Sequence, residues 1–533
     1  MTKYQVVIVG GGVTGAGILR DLSMRGISTL LLEQGDLAHG TSSRFHGLLH
    51  SGARYVVKDP ESAVECIKEN YILKKIANHC ISDTRGWFVQ TKVDPPEYIQ
   101  QWLEGCRKTQ IPVKEIPLAE ALAKEPLMDK NVQRVFEVPD AAVDGFKLIW
   151  ANVKSAKEYG GEYKTYHQVK KLILDNKRVA GVVVNNLLTG EELEIHCDMV
   201  INAAGGWAPY IAATAQIPLK VICDKGTLLA FNQRLCQRII NRLRPSDDGD
   251  ILVPHETITI LGTTSKIVDS PIENNPEEAE VKKLLEIGED VIPTIKHCRI
   301  IRAFSGVRPL YQDAPLDSSE KKGRNVSRSF ALIDHQLENG IDGFISIVGG
   351  KFTTYRLMAE KVSDMVAKKL GNTVPCRTAS ENLLPQFSKD IEKKAYQLLP
   401  NVPTEKMLQR LGGDAESLLK VIEKDPSKGQ LLCECEMVTV AEVEKIAADD
   451  DTYNLADIRR KTRLGMGTCQ GAFCAFRALP LLWKNKDKYD FLQELKTFLN
   501  QRWKGIRPVL WGEQLRETEL TKAIYSSTLQ IKE

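Results

Sequence analysis

An apolar strand that runs straight into a glycine turn and then into a helix constrains this chain more than any other feature. Residues 5–15 read QVVIVGGGVTG, and Gly10, Gly12 and Gly15 stand in G-x-G-x-x-G spacing. The first glycine of such a turn permits the sharp reversal, the second lets the backbone approach a pyrophosphate, and the third lets the helix pack closely on the strand. The periodicity predicts a strand over residues 5–9 and a helix from 13 to about 25, with Ile18, Leu19 and Leu22 on one side. Gly26 ends that helix, and residues 28–32 return as a parallel strand. Glu33 closes the second strand, 18 residues past Gly15, where a carboxylate accepts bonds from a ribose hydroxyl. The N–H groups opening the helix then face the phosphates. The chain carries one such unit, which favours FAD over NAD, and the fold class is α/β.

A chain of 533 residues exceeds one ordinary core, so two or three domains are expected. With 43% hydrophobic and 26% charged residues it belongs with folded soluble proteins. A net charge of +3 is too mild for a nucleic-acid partner. No apolar run reaches the roughly 18 residues that span a bilayer, so membrane contact is peripheral or through a partner. Residues 173–199 alternate apolar and polar around NNLLTGEE and predict an antiparallel excursion. DMVINAAGGWA predicts a buried strand, a glycine turn and a helix; residues 220–310 are strand-rich, as a substrate-covering sheet is. GFISIVGGKFTTYRLMAEKVSDMVAKKLG repeats strand, turn and helix, with Gly371 as C-cap. Pro375, Ser380, Pro385 and Ser388 mark a linker over 372–392, followed by a polar helical segment to about 429. Thr439 and Glu442 form a capping box that starts a helix at Val440. The resulting division is 1–375, 376–430, 431–485 and 486–533.

Of twelve cysteines, eight are scattered singly and read as reduced and structural. Cys433, Cys435, Cys469 and Cys474 instead gather within 42 residues as C-x-C and C-x4-C. Four thiolates suit a 2Fe-2S cluster, two per iron, and equally suit structural zinc; spacing does not choose between them. Gly465, Gly467 and Gly471 let backbone N–H groups approach sulfur. A redox disulfide between Cys469 and Cys474 would leave Cys433 and Cys435 unexplained. Arg459, Arg460, Lys461 and Arg463 precede the third cysteine. They either raise a cluster's potential by their charge or form a solvated helix face.

Four blocks carry a family resemblance: GTSSRFHGLLHSGARYV (40–56), NAAGGWA (202–208), FSGVRPL (304–310) and GGKFTTYR (349–356). In this order they resemble FAD-dependent glycerol-3-phosphate dehydrogenases, within the D-amino-acid-oxidase-like group. The tail, from LLCECEMV through TRLGMGTCQGAFC to RWKGIRPVLWGEQLRE, is similar to the A subunits of the anaerobic bacterial branch. TRLGMGTCQG also resembles the bacterioferritin-associated-ferredoxin-like domain, which favours 2Fe-2S at the four cysteines. The resemblance implies an FAD-binding Rossmann-like domain with an antiparallel-sheet substrate domain, plus a small C-terminal helical iron–sulfur domain.

The resemblance also assigns roles. Thr41, Ser42 and Ser43 match the stretch lining the flavin pyrophosphate, though the same residues suit helix capping. Gly205, Gly349 and Gly350 match turns where backbone passes close to the flavin. The implied reaction oxidises sn-glycerol 3-phosphate to dihydroxyacetone phosphate; the C2 hydride goes to the flavin and the hydroxyl proton to a base. His50 matches the family's active-site histidine, with His46 and His255 as alternatives. Arg54, Arg308 and Lys351 supply cations for the phosphate dianion or the developing alkoxide, and Tyr55 and Thr353 line the pocket. The family further implies a second flavoprotein subunit, an iron–sulfur subunit that anchors the complex to the cytoplasmic face of the membrane, and quinone reached through them. Residues 491–511 mix apolar and basic residues, as a packed C-terminal helix or a docking segment does. Competing readings are a 2-hydroxy-acid or amino-acid dehydrogenase, whose carboxylate substrate needs fewer cations, and a non-catalytic electron-relay subunit.

Overall fold

The protein is described by a computed structural model covering residues 3–311, 329–483, 490–528 and 531. The boundary expected at residue 485 lies outside the described residues.

The strand Tyr4–Val9 forms the centre of the first sheet, with Val6, Val7 and Ile8 fully buried because both faces of the sheet are covered. It pairs in parallel with Thr29–Leu32 on one side and Glu192–Asn202 on the other. Phe344–Gly349 continues the parallel set beyond Glu192–Asn202. Between Val13–Met24 and the sheet the third glycine has the expected use: a Cβ on Gly15 would overlap the Gly10 carbonyl. Helices Gly145–Glu158 and Tyr355–Leu370 flank Val13–Met24. The excursion predicted around NNLLTGEE runs over His167–Asp175, Arg178–Asn186 and Glu192–Asn202, all antiparallel. Gly26 and Gly371 follow their helices in the left-handed conformation, at φ +75 and +71°.

The second sheet is antiparallel except where Ile239–Arg242 runs parallel to Gly86–Gln90. Its long central pair is Ile222–Phe231 with Ile300–Leu310. It draws strands from residues 86–138 as well as from 222–310, so the two sheets are interleaved in the chain. Where the sequence suggested a linker, residues 372–387 instead lie on the first domain. The buried Arg20 guanidinium donates to the carbonyls of Thr378, Glu381 and Asn382, and Leu383 N–H donates to Ile76 O at 2.9 Å. Those interactions satisfy backbone that forms neither helix nor strand. Ser388 then caps the helix Lys389–Leu398.

The cysteine region has its own core, and the C-terminal segment belongs to it. Leu432, Leu455, Ile458 and Leu464 pack with Leu495, Phe498 and Leu499 from the helix Phe491–Ile506. That helix is packed, as one of the two sequence readings had it. Just past its far end, Val509 enters the core of the second sheet beside Ile300 and Ala303. Gln514 bonds both the N–H and the carbonyl of Ile300, at 3.1 and 2.7 Å. Thr439 and Glu442 form the expected capping box at Val440–Ala447. Among the described residues no helix is long and apolar enough to cross a membrane.

Candidate active site and thiol centre

A cavity of about 1210 Å³ opens between the two sheets, more than the ~300–1,000 Å³ of a drug-sized ligand site. One end is the glycine turn. Gly10 has φ +110°, and a Cβ there would come within 2.6 Å of Ala203 O. Gly12, Val13 and Thr14 line the cavity, so the helix N-terminus faces it. Glu33 also lines it, held by the N–H groups of Gly11 at 2.7 Å and Gly35 at 2.8 Å. Ser42 Oγ accepts from Val13 N–H at 3.0 Å, so it caps the helix while lining the cavity. Thr41 lines the cavity too, its hydroxyl donating to Val307 O at 2.5 Å. Ser43 does not line it and donates to Gly40 O instead. Gly205, Gly349 and Gly350 line the wall with φ +56, +84 and +78°. At Gly205 a Cβ would meet only Pro309, at 3.8 Å, so its backbone conformation rather than crowding calls for glycine.

The other end gathers His50, Arg54, Tyr55, Arg308 and Lys351. His50 is 8% exposed, and its Nε2 lies 3.5 Å from the Tyr55 hydroxyl. Thr353 is fully buried behind it, and its Oγ1 accepts from His50 N–H at 3.0 Å. Thr353 therefore positions His50 rather than lining the cavity. Each arginine is oriented by a buried aspartate. Arg54 Nη2 reaches Asp250 at 2.7 Å, and Arg308 Nη1 reaches Asp224 at 2.6 Å. Arg308 also donates to Thr263 Oγ1 and Thr264 O. Lys351 Nζ sits 4.9 Å above the Tyr55 ring.

The three candidate histidines separate on physical grounds. Burial, then Arg54 and Arg308, push His46 down to about 3, which makes it a weak base. His255 is also lowered by burial; it lies outside the cavity, with Nε2 2.9 Å from His46 O. His50 lies 5.8 Å from the His46 ring, edge to face, and remains beside the cations.

The four clustered cysteines meet in the C-terminal region, where Cys433 and Cys474 belong to its core. Their thiols touch in the order Cys433, Cys474, Cys469, Cys435. A hydrogen bond from Cys474, then the N–H groups of Gly471 and Ala472, bring Cys469 down to about 5. Cys474 and the N–H groups of Gly465 and Glu436 bring Cys433 to about 7. Cys435 is raised by burial, and Cys474 is raised by its two thiol neighbours. A Cβ on Gly467 would come within 2.5 Å of Cys435 Cβ. Among the described residues no three His, Cys, Asp or Glu side chains are gathered as a single ion requires. An all-sulfur donor set met by backbone N–H groups would suit a two-iron centre.

The basic run before Cys469 is not a solvated face. Arg460 binds Asp36 and Asp457, each at 2.6 Å, and Arg463 binds Asp144 and Glu436, each at 2.7 Å. Lys461 binds Asp451 at 2.6 Å, with Nζ 4.5 Å from the Trp150 ring. These pairs fasten the cysteine region to the first domain. Sequence reasoning missed Asp224, Asp250, Asp36 and Asp144, because each pairs with an arginine distant in the chain and carries no local signal.

A profile of the family "FAD dependent oxidoreductase" matches residues 5–356. The A subunit of anaerobic glycerol-3-phosphate dehydrogenase from Escherichia coli K12 is 43% identical over 98% of this chain and 96% of its own length. The chain belongs to this family of FAD-dependent oxidoreductases. Subunit A1 of the same enzyme from Haloferax volcanii is 41% identical, over 98% of this chain and 90% of its own. The fold matches that of a Bacillus halodurans glycerol-3-phosphate dehydrogenase complexed with FAD, with TM-score 0.71 and 21% identity over 96% and 97% of the two chains. FAD is the family's cofactor, and the glycine turn, Glu33, Ser42 and the Gly205 and Gly349 turns are the residues here that would hold it.

Proposed function

We propose that this chain oxidises the C2 alcohol of sn-glycerol 3-phosphate to dihydroxyacetone phosphate and exports the electrons singly through a 2Fe-2S cluster at Cys433, Cys435, Cys469 and Cys474. The observation that carries the reading is one continuous cavity joining a dinucleotide-binding turn to a buried histidine and three cations. Bound FAD supplies the hydride acceptor. The residues of the chain do the rest. His50 takes the hydroxyl proton at Nε2, the nitrogen beside the Tyr55 hydroxyl, while Thr353 fixes its backbone. Arg54, Arg308 and Lys351 divide between the phosphate and the oxygen that loses its proton; Asp250 and Asp224 hold the two arginines in place, so little reorganisation is needed during reaction.

Four thiolates suit zinc as well; the resemblance of TRLGMGTCQG to the bacterioferritin-associated-ferredoxin-like domain favours the cluster, and backbone N–H groups directed at Cys433 and Cys469 are compatible with it. Electrons would leave to a second flavoprotein subunit and an iron–sulfur anchor subunit, and so to quinone, with this chain held peripherally on the cytoplasmic face. Anaerobic titration tests the reading. Glycerol 3-phosphate should bleach the visible flavin band and raise a reduced-cluster EPR signal, whereas 2-hydroxyglutarate should do neither. Absent bleaching removes the substrate; bleaching without iron and sulfide in the protein removes the cluster.

A further inference from the structure

Buried guanidinium groups ordinarily face carboxylates. Arg25, Arg242, Arg356 and Arg410 do so here, with Asp21, Asp94, Glu69 and Glu442. Arg44, Arg302 and Arg459, each half-buried, do not: among the described residues none of their side chains has a carboxylate within ion-pair distance or a hydrogen-bond acceptor, and Arg459 Nε is buried without a partner.

The three stand in a row between the flavin cavity and the thiols. Arg44 follows the Thr41–Ser43 turn and lines the cavity, its backbone packed against Gly306 of the strand Ile300–Leu310. Arg302 lies on the same strand four residues earlier, hence on the same face as Gly306. Its Cγ would lie 2.6 Å from a Cβ on Gly505 of the helix Phe491–Ile506. Arg459 belongs to the helix Leu455–Thr462, which packs on the helix that begins at Cys474. The charges feel one another in that order. Burial and then Arg44 lower Arg302 to about 10; burial, then Arg302, Arg460 and Arg463, lower Arg459, while Cys474 opposes them.

At Arg459, whose Nε is shut away from water, positive charge with no protein anion beside it is unfavourable unless something else neutralises it. A 2Fe-2S centre on four thiolates carries two negative charges when oxidised and three when reduced. Each electron delivered from the flavin end adds one negative charge at the thiols and neither makes nor breaks a bond. The two electrons of one substrate oxidation pass in succession, the first leaving to the external acceptor before the second arrives.

We propose that Arg302 and Arg459 are kept without carboxylate partners so that their charge stabilises electrons arriving at the thiol centre, drawing reducing equivalents from the flavin end toward the cysteines. The proposal rests on the 2Fe-2S reading. Iron and sulfide analysis of the purified holoprotein therefore comes first, and its failure removes that reading on its own. EPR-monitored redox titration then tests the row. In Arg459→Leu the ratio of reduced to oxidised cluster at fixed potential should fall about tenfold, a midpoint lowered by about 59 mV for one electron. Arg302→Leu should shift it the same way by less, and Arg459→Lys should restore most of the wild-type value. Arg516→Leu, which removes an exposed pair with Glu513, serves as control and should leave it unchanged. Unchanged midpoints in both leucine variants would overturn the proposal, as would an Arg459→Lys protein as low as Arg459→Leu.

Discussion

The nucleotide turn and the thiol centre use the same materials, glycines and backbone N–H groups, but they are secured in opposite ways. The turn is closed by neighbours within one sheet: Gly15 packs on the Gly10 carbonyl, Glu33 ties Gly11 to Gly35, and Ser42 caps Val13. The thiol centre is held from outside. Arg463 links Glu436 to Asp144 of the first domain, Arg410 of the intervening helices binds Glu442, and Leu495 and Phe498 arrive from the C-terminal helix. A site closed on itself should fail alone, whereas a site braced by others should fail when a brace is cut.

The largest separation between the two regions should come from His50→Gln. We expect kcat to drop about 10²–10⁴-fold with FAD and cluster contents unchanged. Turnover at the wild-type rate would remove His50 as the base. Next comes a cut brace. Asp144→Asn leaves Arg463 buried with half its counter-charge, at a cost of up to about 3–5 kcal/mol. Limited proteolysis should then release the cysteine region while the flavin stays bound; equal protection in variant and wild type would show that the pair is not a brace. The same pair has a pH signature. Burial alone would raise the Asp144 carboxyl, but Arg463 and Lys147 bring it down to about 2. Its stabilisation is therefore complete above the ordinary aspartate value near ~3.9 and is lost as pH falls from there through about 2. Thermal melts of wild type should converge on those of Asp144→Asn only in that acid window.

A smaller effect is expected at the turn. Gly10→Ala forces a side chain into φ +110° beside Ala203 O, costing about 1–3 kcal/mol and releasing FAD, while the reduced-cluster EPR signal obtained with dithionite persists. Loss of both cofactors together would erase the distinction between the regions. Smallest is Arg477→Ala, which breaks a surface pair with Glu434 beside the cysteines and should change stability by less than about 1 kcal/mol in chemical denaturation.

What could be read from sequence follows the same division. The Gly10–Gly15 turn, the capping box at Thr439 and the helix ending at Gly371 are set by residues a few positions apart, and all three are present as expected. Arg20 gave no hint that it would pin residues 378–382, because its partners are carbonyls some 360 positions away. Arg460 and Arg463 looked alike beside Arg459, yet Asp36 and Asp144 neutralise the first two and leave the third. The cavity wall shows it as well: motif residues placed Arg54 and Arg308, while Asp250 and Asp224, which orient them, carry no motif.

The helix Phe491–Ile506 is seated at one end among the side chains around the sulfurs and at the other beneath the strand that carries Arg302 and Arg308. Its 16 residues make a rod about 24 Å long. A rod seated at both ends resists the two lobes rocking apart, so under the proposed relay it would hold steady the separation an electron has to cross.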